Sequence, residues 1–301
     1  MIDLHAHILP GLDDGSQDWN ETLAMCSIAM ADGIHTIAAT PHIKPGFYSP
    51  GKALIFEKVA ELNQLLLPAP SPTPLAQSIE HGAKRCPPLP ALSPMPPALT
   101  ILSGADNSFQ PDILKQIEEG TAVYLADPTN LSREMPGIFH RDPINAINAT
   151  NATNPINQTH AIRYILLELS DYFLFPQVKD CIRKLREKNI VPILSHPERI
   201  AMIQKNYKLL RELIQAGALS QVTAMSITGE FGKNIKKFTK TLLLKNLVHV
   251  IASDAHSKDR RPPILSRAVA EAATIIGQDQ AEMMVRKIPQ AIIEGKEVGI
   301  T

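Results

Sequence analysis

Seven short apolar runs divide this chain, and stretches with helical spacing fill most of the intervals between them. The runs cover residues 2–4, 34–40, 99–103, 163–169, 190–194, 218–223 and 247–252. Apolar residues recur with a helical period at 19–32, 52–67, 112–119, 176–188, 207–216, 233–245, 264–276 and 279–286. Strands that alternate with helices pair in parallel and are covered on both faces. The pattern predicts an α/β fold. An open doubly wound sheet and a barrel both satisfy it.

In either architecture a site forms at the carboxyl ends of the strands. His5 and His7 follow the first run, and alternate residues of an extended chain share a face. His42 follows the second run, Asp106 the third, and Glu168 ends the fourth. His196 follows the fifth run, and Asp254 and His256 the last. Asp13 and Asp14 add carboxylates on the first loop. The other histidines, His35, His81, His140, His160 and His249, occupy no strand exit, and His249 reads as a core residue. Imidazole and carboxylate without thiolate favour Mn²⁺, Fe²⁺ or Zn²⁺. Eight ligands exceed the needs of one ion, so a cluster of two or three is expected, with a carboxylate such as Asp106 as a bridge. Such clusters suit phosphoester hydrolysis. Arg199 and Arg261 lie just beyond ligand motifs, and a guanidinium offers a planar fork matched to phosphate.

Composition removes several alternatives. Lys plus Arg equals Asp plus Glu, so the chain lacks the basic excess of a broad nucleic-acid footprint. Cys26, Cys86 and Cys181 form no C-x-x-C pair. A thiol phosphatase needs Arg six positions after its Cys, and those positions hold Asp32, Leu92 and Glu187. No complete phosphate-binding glycine loop of the G-x-x-x-x-G-K-S/T or G-x-G-x-x-G type occurs; the partial match at Gly46–Lys52 is followed by Ala53. No signal peptide or bilayer-length apolar run is visible, so a cytoplasmic protein without membrane insertion is expected. Two segments break the alternation. Residues 68–98 hold ten prolines, and residues 127–160 carry a repeated Asn-Ala-Thr with scattered Pro. Both read as surface insertions in a single domain spanning 1–301.

With these residues assembled, the chain resembles the polymerase-and-histidinol-phosphatase (PHP) superfamily, and within it the bacterial tyrosine-protein phosphatases of capsular and exopolysaccharide synthesis. The stretches that carry the resemblance are MIDLHAHILPGLDDGS, TIAATPH, LSGAD, YILLEL, PILSHPER, ITGEFGKNIKKF and LVHVIASDAHSKDRRPP. The resemblance implies a distorted (β/α)7 barrel of the TIM-like PHP type, with a centre of three divalent ions, usually Mn²⁺. It implies hydrolysis of phosphotyrosine in protein, typically in the tail of a bacterial tyrosine kinase that controls polysaccharide export. On this sequence it makes His5, His7, His42, Asp106, Glu168, His196, Asp254 and His256 metal ligands, and Arg199 and Arg261 phosphate-binding residues. Many relatives carry Glu where this chain has the shorter Asp106. Two other functions use the same residues. One is a small-molecule phosphatase of the histidinol-phosphate type. The other is a metal-binding regulator without turnover. Monomer and oligomer both fit the neutral charge.

Overall fold

The computed structural model describes residues 1–67, 99–126, 162–170 and 176–299. The expected insertions at 68–98 and 127–160 lie outside the described residues, as does Cys86. The chain opens with β1 (Ile2–Ala6), α1 (Trp19–Ala31), β2 (Thr36–Ala39) and a short continuation, β3 (His42–Ile43). Next come α2 (Lys52–Leu65), β4 (Thr100–Ser103), its continuation β5 (Asp106–Ser108) and α3 (Ile113–Glu118). β6 (Arg163–Glu168), α4 (Val178–Glu187) and β7 (Ile190–Ser195) precede a 3-10 turn (Pro197–Arg199), α5 (Ala201–Lys205) and α6 (Lys208–Gln215). β8 (Leu219–Thr223), α7 (Ala224–Thr228), α8 (Lys233–Leu244) and β9 (Val250–Ala252) follow. Three helices close the described chain: α9 (Ser266–Ile276), α10 (Gln278–Met283) and α11 (Lys287–Ile293).

Local chemistry explains most of these boundaries. The Asp18 carboxylate caps α1 by accepting the Glu21 amide, and Gly33 beyond its end takes φ +81°. α4 buries Val178, Cys181, Ile182 and Leu185, the i, i+3, i+4, i+7 set of one face. In α2 the inward set is Ile55, Val59 and Leu62, whereas Leu54 and Leu65 are 40% and 49% exposed. Two overlapping apolar stripes run along this helix, and packing selected the one through Ile55 over the one through Leu54 and Leu65. α11 is absent from the sequence expectation. Its Pro289 lies in the first turn, where amides have no intrahelical acceptor and a missing N–H costs nothing.

Each of the seven ladders between these strands is parallel. Among the described residues the ladders form two sheets, β1-β2-β4 and β3-β5-β6-β7-β8-β9. The sheets are not joined into a closed ladder. β1 nevertheless meets β9: the His7 amide donates to the Ala255 carbonyl and the Asp254 amide to the His5 carbonyl, both at 2.8 Å. Alternation along the strands divides the core. Ile165, Leu167, Leu194, Val222 and Ile251 pack in the larger cluster with the helices. Tyr164, Leu166, Ile193, Leu219 and Val250 point the other way, into a second cluster with Ile2 and Leu4. Both faces are therefore dry, which is why these strands read as continuous apolar runs.

Candidate metal centre

The strand ends bring all eight expected ligands into one cluster, with His5, His7 and Asp106 at its buried base and the other five on the wall of a cavity. Its volume is about 440 Å³, and Asp14, His42, Glu168, His196, Arg199, Asp254, His256 and Arg261 line it. His5 and His7 leave β1 side by side, with their Nε2 atoms 3.0 Å apart. Each ring is aimed by its other nitrogen. His7 Nδ1 donates to the Asp13 carboxylate at 2.6 Å, His5 Nδ1 to Gln221 Oε1 at 2.9 Å, and His256 Nδ1 to the Asp254 carbonyl at 2.9 Å. Such partners fix the ring and leave Nε2 for a ligand role.

Three overlapping groups result. They are His5, His7 and Asp106; His42, Asp106 and Glu168; and His7, Asp14, His42 and His256. Within each group the ligating atoms lie within 4.8 Å of one another. His7, His42 and Asp106 each belong to two groups, the arrangement expected of shared ligands. His196 faces Glu168 at 3.8 Å. Asp254 Oδ1 lies 3.5 Å from His5, 3.4 Å from His7 and 3.6 Å from His256. Its other oxygen accepts from Arg199 at 2.9 Å and from Arg261.

Electrostatics follow from this crowding. Asp106 is fully buried, which by itself raises a carboxyl pKa; His5, His42 and His196 outweigh burial and hold it ionised. Asp254 is held well below the usual carboxylate range against burial, by His5, Arg199, His7 and Arg261. His196 is driven down by burial and by Arg199, so it stays neutral. His7 moves up to about 10, because its bonds and charge attraction to Asp13 and Asp254 exceed its burial. His196 and Asp254 also take left-handed backbone, at φ +37° and +52°. Non-glycine residues held there cost about 1–3 kcal/mol and mark sites where a side chain must be aimed.

The donor set fits divalent ions. Asp106 Oδ2, His42 Nδ1 and His196 Nδ1 are buried without a hydrogen-bond partner. His42 Nδ1 and Asp106 Oδ2 face each other at 3.4 Å. Buried polar atoms are otherwise almost always satisfied, so three orphans in one cluster indicate a further partner. Among the described residues a thiol reaction has no support: burial pushes Cys26 up to about 12 and Cys181 up to about 11, far from a reactive thiolate.

Residues outside the expected ligand set build the support. Asp13 accepts from three directions: His7 Nδ1, the His42 amide at 2.8 Å and the Gly15 amide at 2.9 Å. Ser195 donates to Asp106 Oδ1 at 3.0 Å. Asp3 accepts the amides of His5 and Ser253, and burial pushes its carboxyl up to about 6. Gly15 lies so close to His7 that a Cβ there would sit 2.2 Å from the His7 carbonyl oxygen and 2.5 Å from its Cβ. Polar residues inside otherwise apolar strands, Asp3 and Gln221, were the available sequence signal. Nothing local marks the role of Gly15.

Fold and site together define a class: an α/β protein whose parallel strands carry an imidazole–carboxylate cluster and two arginines at their carboxyl ends. The chain belongs to the capsular polysaccharide synthesis family CpsB/CapC, whose model matches residues 1–81 and 135–294. It is 28% identical to the tyrosine-protein phosphatase YwqE of Bacillus subtilis, over 87% of this chain and 79% of that protein. It is 30% identical to the putative tyrosine-protein phosphatase CapC of Staphylococcus aureus, over 89% and 81%. Among solved structures, one described with YwqE of Bacillus subtilis and CpsB of Streptococcus pneumoniae as metal-dependent tyrosine phosphatases superposes with a TM-score of 0.74. That match has 25% identity and covers 99% of this chain and 96% of the other.

Proposed function

We propose that this chain is a metal-dependent phosphatase that removes phosphate from phosphotyrosine in protein. One observation carries the reading: Asp254 joins the imidazole cluster through one oxygen and both arginines through the other. In this reading a phosphate-binding fork stands against a divalent-ion site, a combination suited to phosphomonoester hydrolysis. His5, His7, His42, Asp106, Glu168, His196, Asp254 and His256 would hold the ions, with Asp14 as a ninth ligand. The set suits three Mn²⁺, with Fe²⁺ or Zn²⁺ as alternatives. Divalent ions, when bound, lower the pKa of water and neutralise charge on phosphate oxygens.

The residues then divide the remaining work. Arg199 and Arg261 grip the phosphate oxygens and orient phosphorus over the cluster. Asp13, Gln221 and the Asp254 carbonyl keep each ring nitrogen aimed. The tyrosyl leaving group has a pKa of about 10, so it departs with less proton assistance than an alkyl alcohol would need. The substrate in this reading is the tyrosine-rich tail of a bacterial kinase that controls capsule or exopolysaccharide synthesis. The chain acts in the cytoplasm as one domain, a distorted barrel of seven strands with β3 and β5 prolonging β2 and β4. Among the described residues no helix is long and apolar enough to cross a membrane.

Phosphate release from a phosphotyrosine peptide, with and without Mn²⁺ and beside histidinol phosphate at equal concentration, tests the proposal. Metal-dependent turnover that prefers the peptide is expected. Preference for histidinol phosphate would make the protein a small-molecule phosphatase. No turnover of either by metal-loaded protein would make it a regulator.

A further inference from the structure

The segment ITGEFGKN has no role in the centre described above, yet it returns to it. α7 ends at Thr228, and Gly229 and Gly232 both take left-handed backbone, at φ +105° and +100°. The Gly232 amide donates to the Gly229 carbonyl at 2.9 Å, which closes a tight loop. Lys236 seals that loop by packing over Gly229 and donating to the Thr228 carbonyl. Phe231 projects from it. Its ring centre lies 5.4 Å from Arg199 Cζ and 5.7 Å from Arg261 Cζ. The other end of α7 is tied to the same neighbourhood. Glu198 Oε1 accepts the Thr223 amide at 2.9 Å and the Ser226 hydroxyl at 2.6 Å, and Glu198 immediately precedes Arg199.

We infer that Phe231 is a positioning residue for the phosphate-binding arginines. Both guanidinium groups share one oxygen of Asp254, so two like charges stand side by side. The negative face of an aromatic ring within about 6 Å attracts both cations and limits how far either fork can tilt. The ring also excludes water from one side of the pair, which strengthens their grip on a dianion. The inference rests on the reading of Arg199 and Arg261 as phosphate-binding residues.

The test uses the full chain loaded with Mn²⁺. Inorganic phosphate affinity is measured by calorimetry, and kcat and KM on a phosphotyrosine peptide, for Phe231→Leu, Phe231→Tyr and Arg261→Ala, with metal content recorded for each. Phe231→Leu keeps apolar volume but no ring face. It is expected to weaken phosphate binding and raise KM about tenfold, with kcat within about twofold and metal content unchanged. Phe231→Tyr should restore both. If Arg261→Ala weakens phosphate binding and Phe231→Leu does not, Phe231 has no positioning role. If Arg261→Ala leaves phosphate affinity unchanged, the reading of the arginines falls. Loss of metal or folding in both Phe231 variants would assign the residue to structure and overturn the inference.

Discussion

His7, beyond the carboxyl end of β1, and His249, before the amino end of β9, are both buried imidazoles whose proton affinities move in opposite directions. Burial lowers His249 to about 4. The Ser220 amide donates to its Nδ1 at 3.1 Å, which suits a neutral ring. His249 lines an apolar cavity of about 570 Å³ with Met283, Met284 and Ile288. That space is larger than the one at the metal centre but holds no ligand cluster. His7 is buried even more completely, yet Asp13 and Asp254 overcome it. The difference teaches that depth alone makes a histidine structural, and that carboxylates make it a candidate ligand. For His7 the ion must also displace a proton, which ties metal binding to pH.

The comparison breaks most severely at Gly15. Gly15→Ala drives a Cβ into the His7 backbone, so the loop or the ring must shift. A displacement near 1 Å at this proposed ligand is expected to lower phosphatase activity about a hundredfold or more, with substoichiometric metal by elemental analysis. Near-normal activity would show that the loop relaxes around the extra methyl. Next in size is Asp13→Asn, which replaces the charged acceptor for His7 Nδ1 and weakens the support of His42. Loss of such a supporting carboxylate should weaken metal affinity up to about a hundredfold, read by competition with a chelator, and lower the thermal stability of the metal-free protein, because His7 loses its buried counter-charge.

His249 sharpens the other side. Its folded pKa lies below the unfolded 6.5, so its stabilising contribution is complete above about pH 6.5 and is lost as pH falls toward 4. Between pH 7 and pH 5 the loss amounts to about 2 kcal/mol. His249→Gln should remove that part of the acid sensitivity in urea unfolding without changing metal content. An acid limb identical to the wild type would show that His249 does not titrate as its surroundings require.

Much of the centre was legible because strand exits are local. A short apolar run followed by His or Asp can be recognised without knowing which strand lies beside it, so the clustering of His5, His7, His42, Asp106, Glu168, His196, Asp254 and His256 as candidate ligands could be expected. Arg199 and Arg261 were legible for the same reason. The inward face of α2 was not, since Leu54 and Ile55 are equally apolar and only the neighbouring strand selects between them. α11 was hidden by Pro289, whose breaking effect vanishes in a first turn.

The sequence by itself determined the alternation of strands and helices, the ligand chemistry and the end of the strands at which it gathers, because each depends on side-chain type and spacing along one stretch of chain. Only the tertiary structure decided that Asp13 aims His7 while bracing His42, that Asp254 serves the cluster and the arginines with different oxygens, and that Phe231 faces both guanidinium groups. Those contacts join residues as far apart as His7 and Asp254, and distance along the chain carries no information about an approach of a few ångströms until the strands have paired.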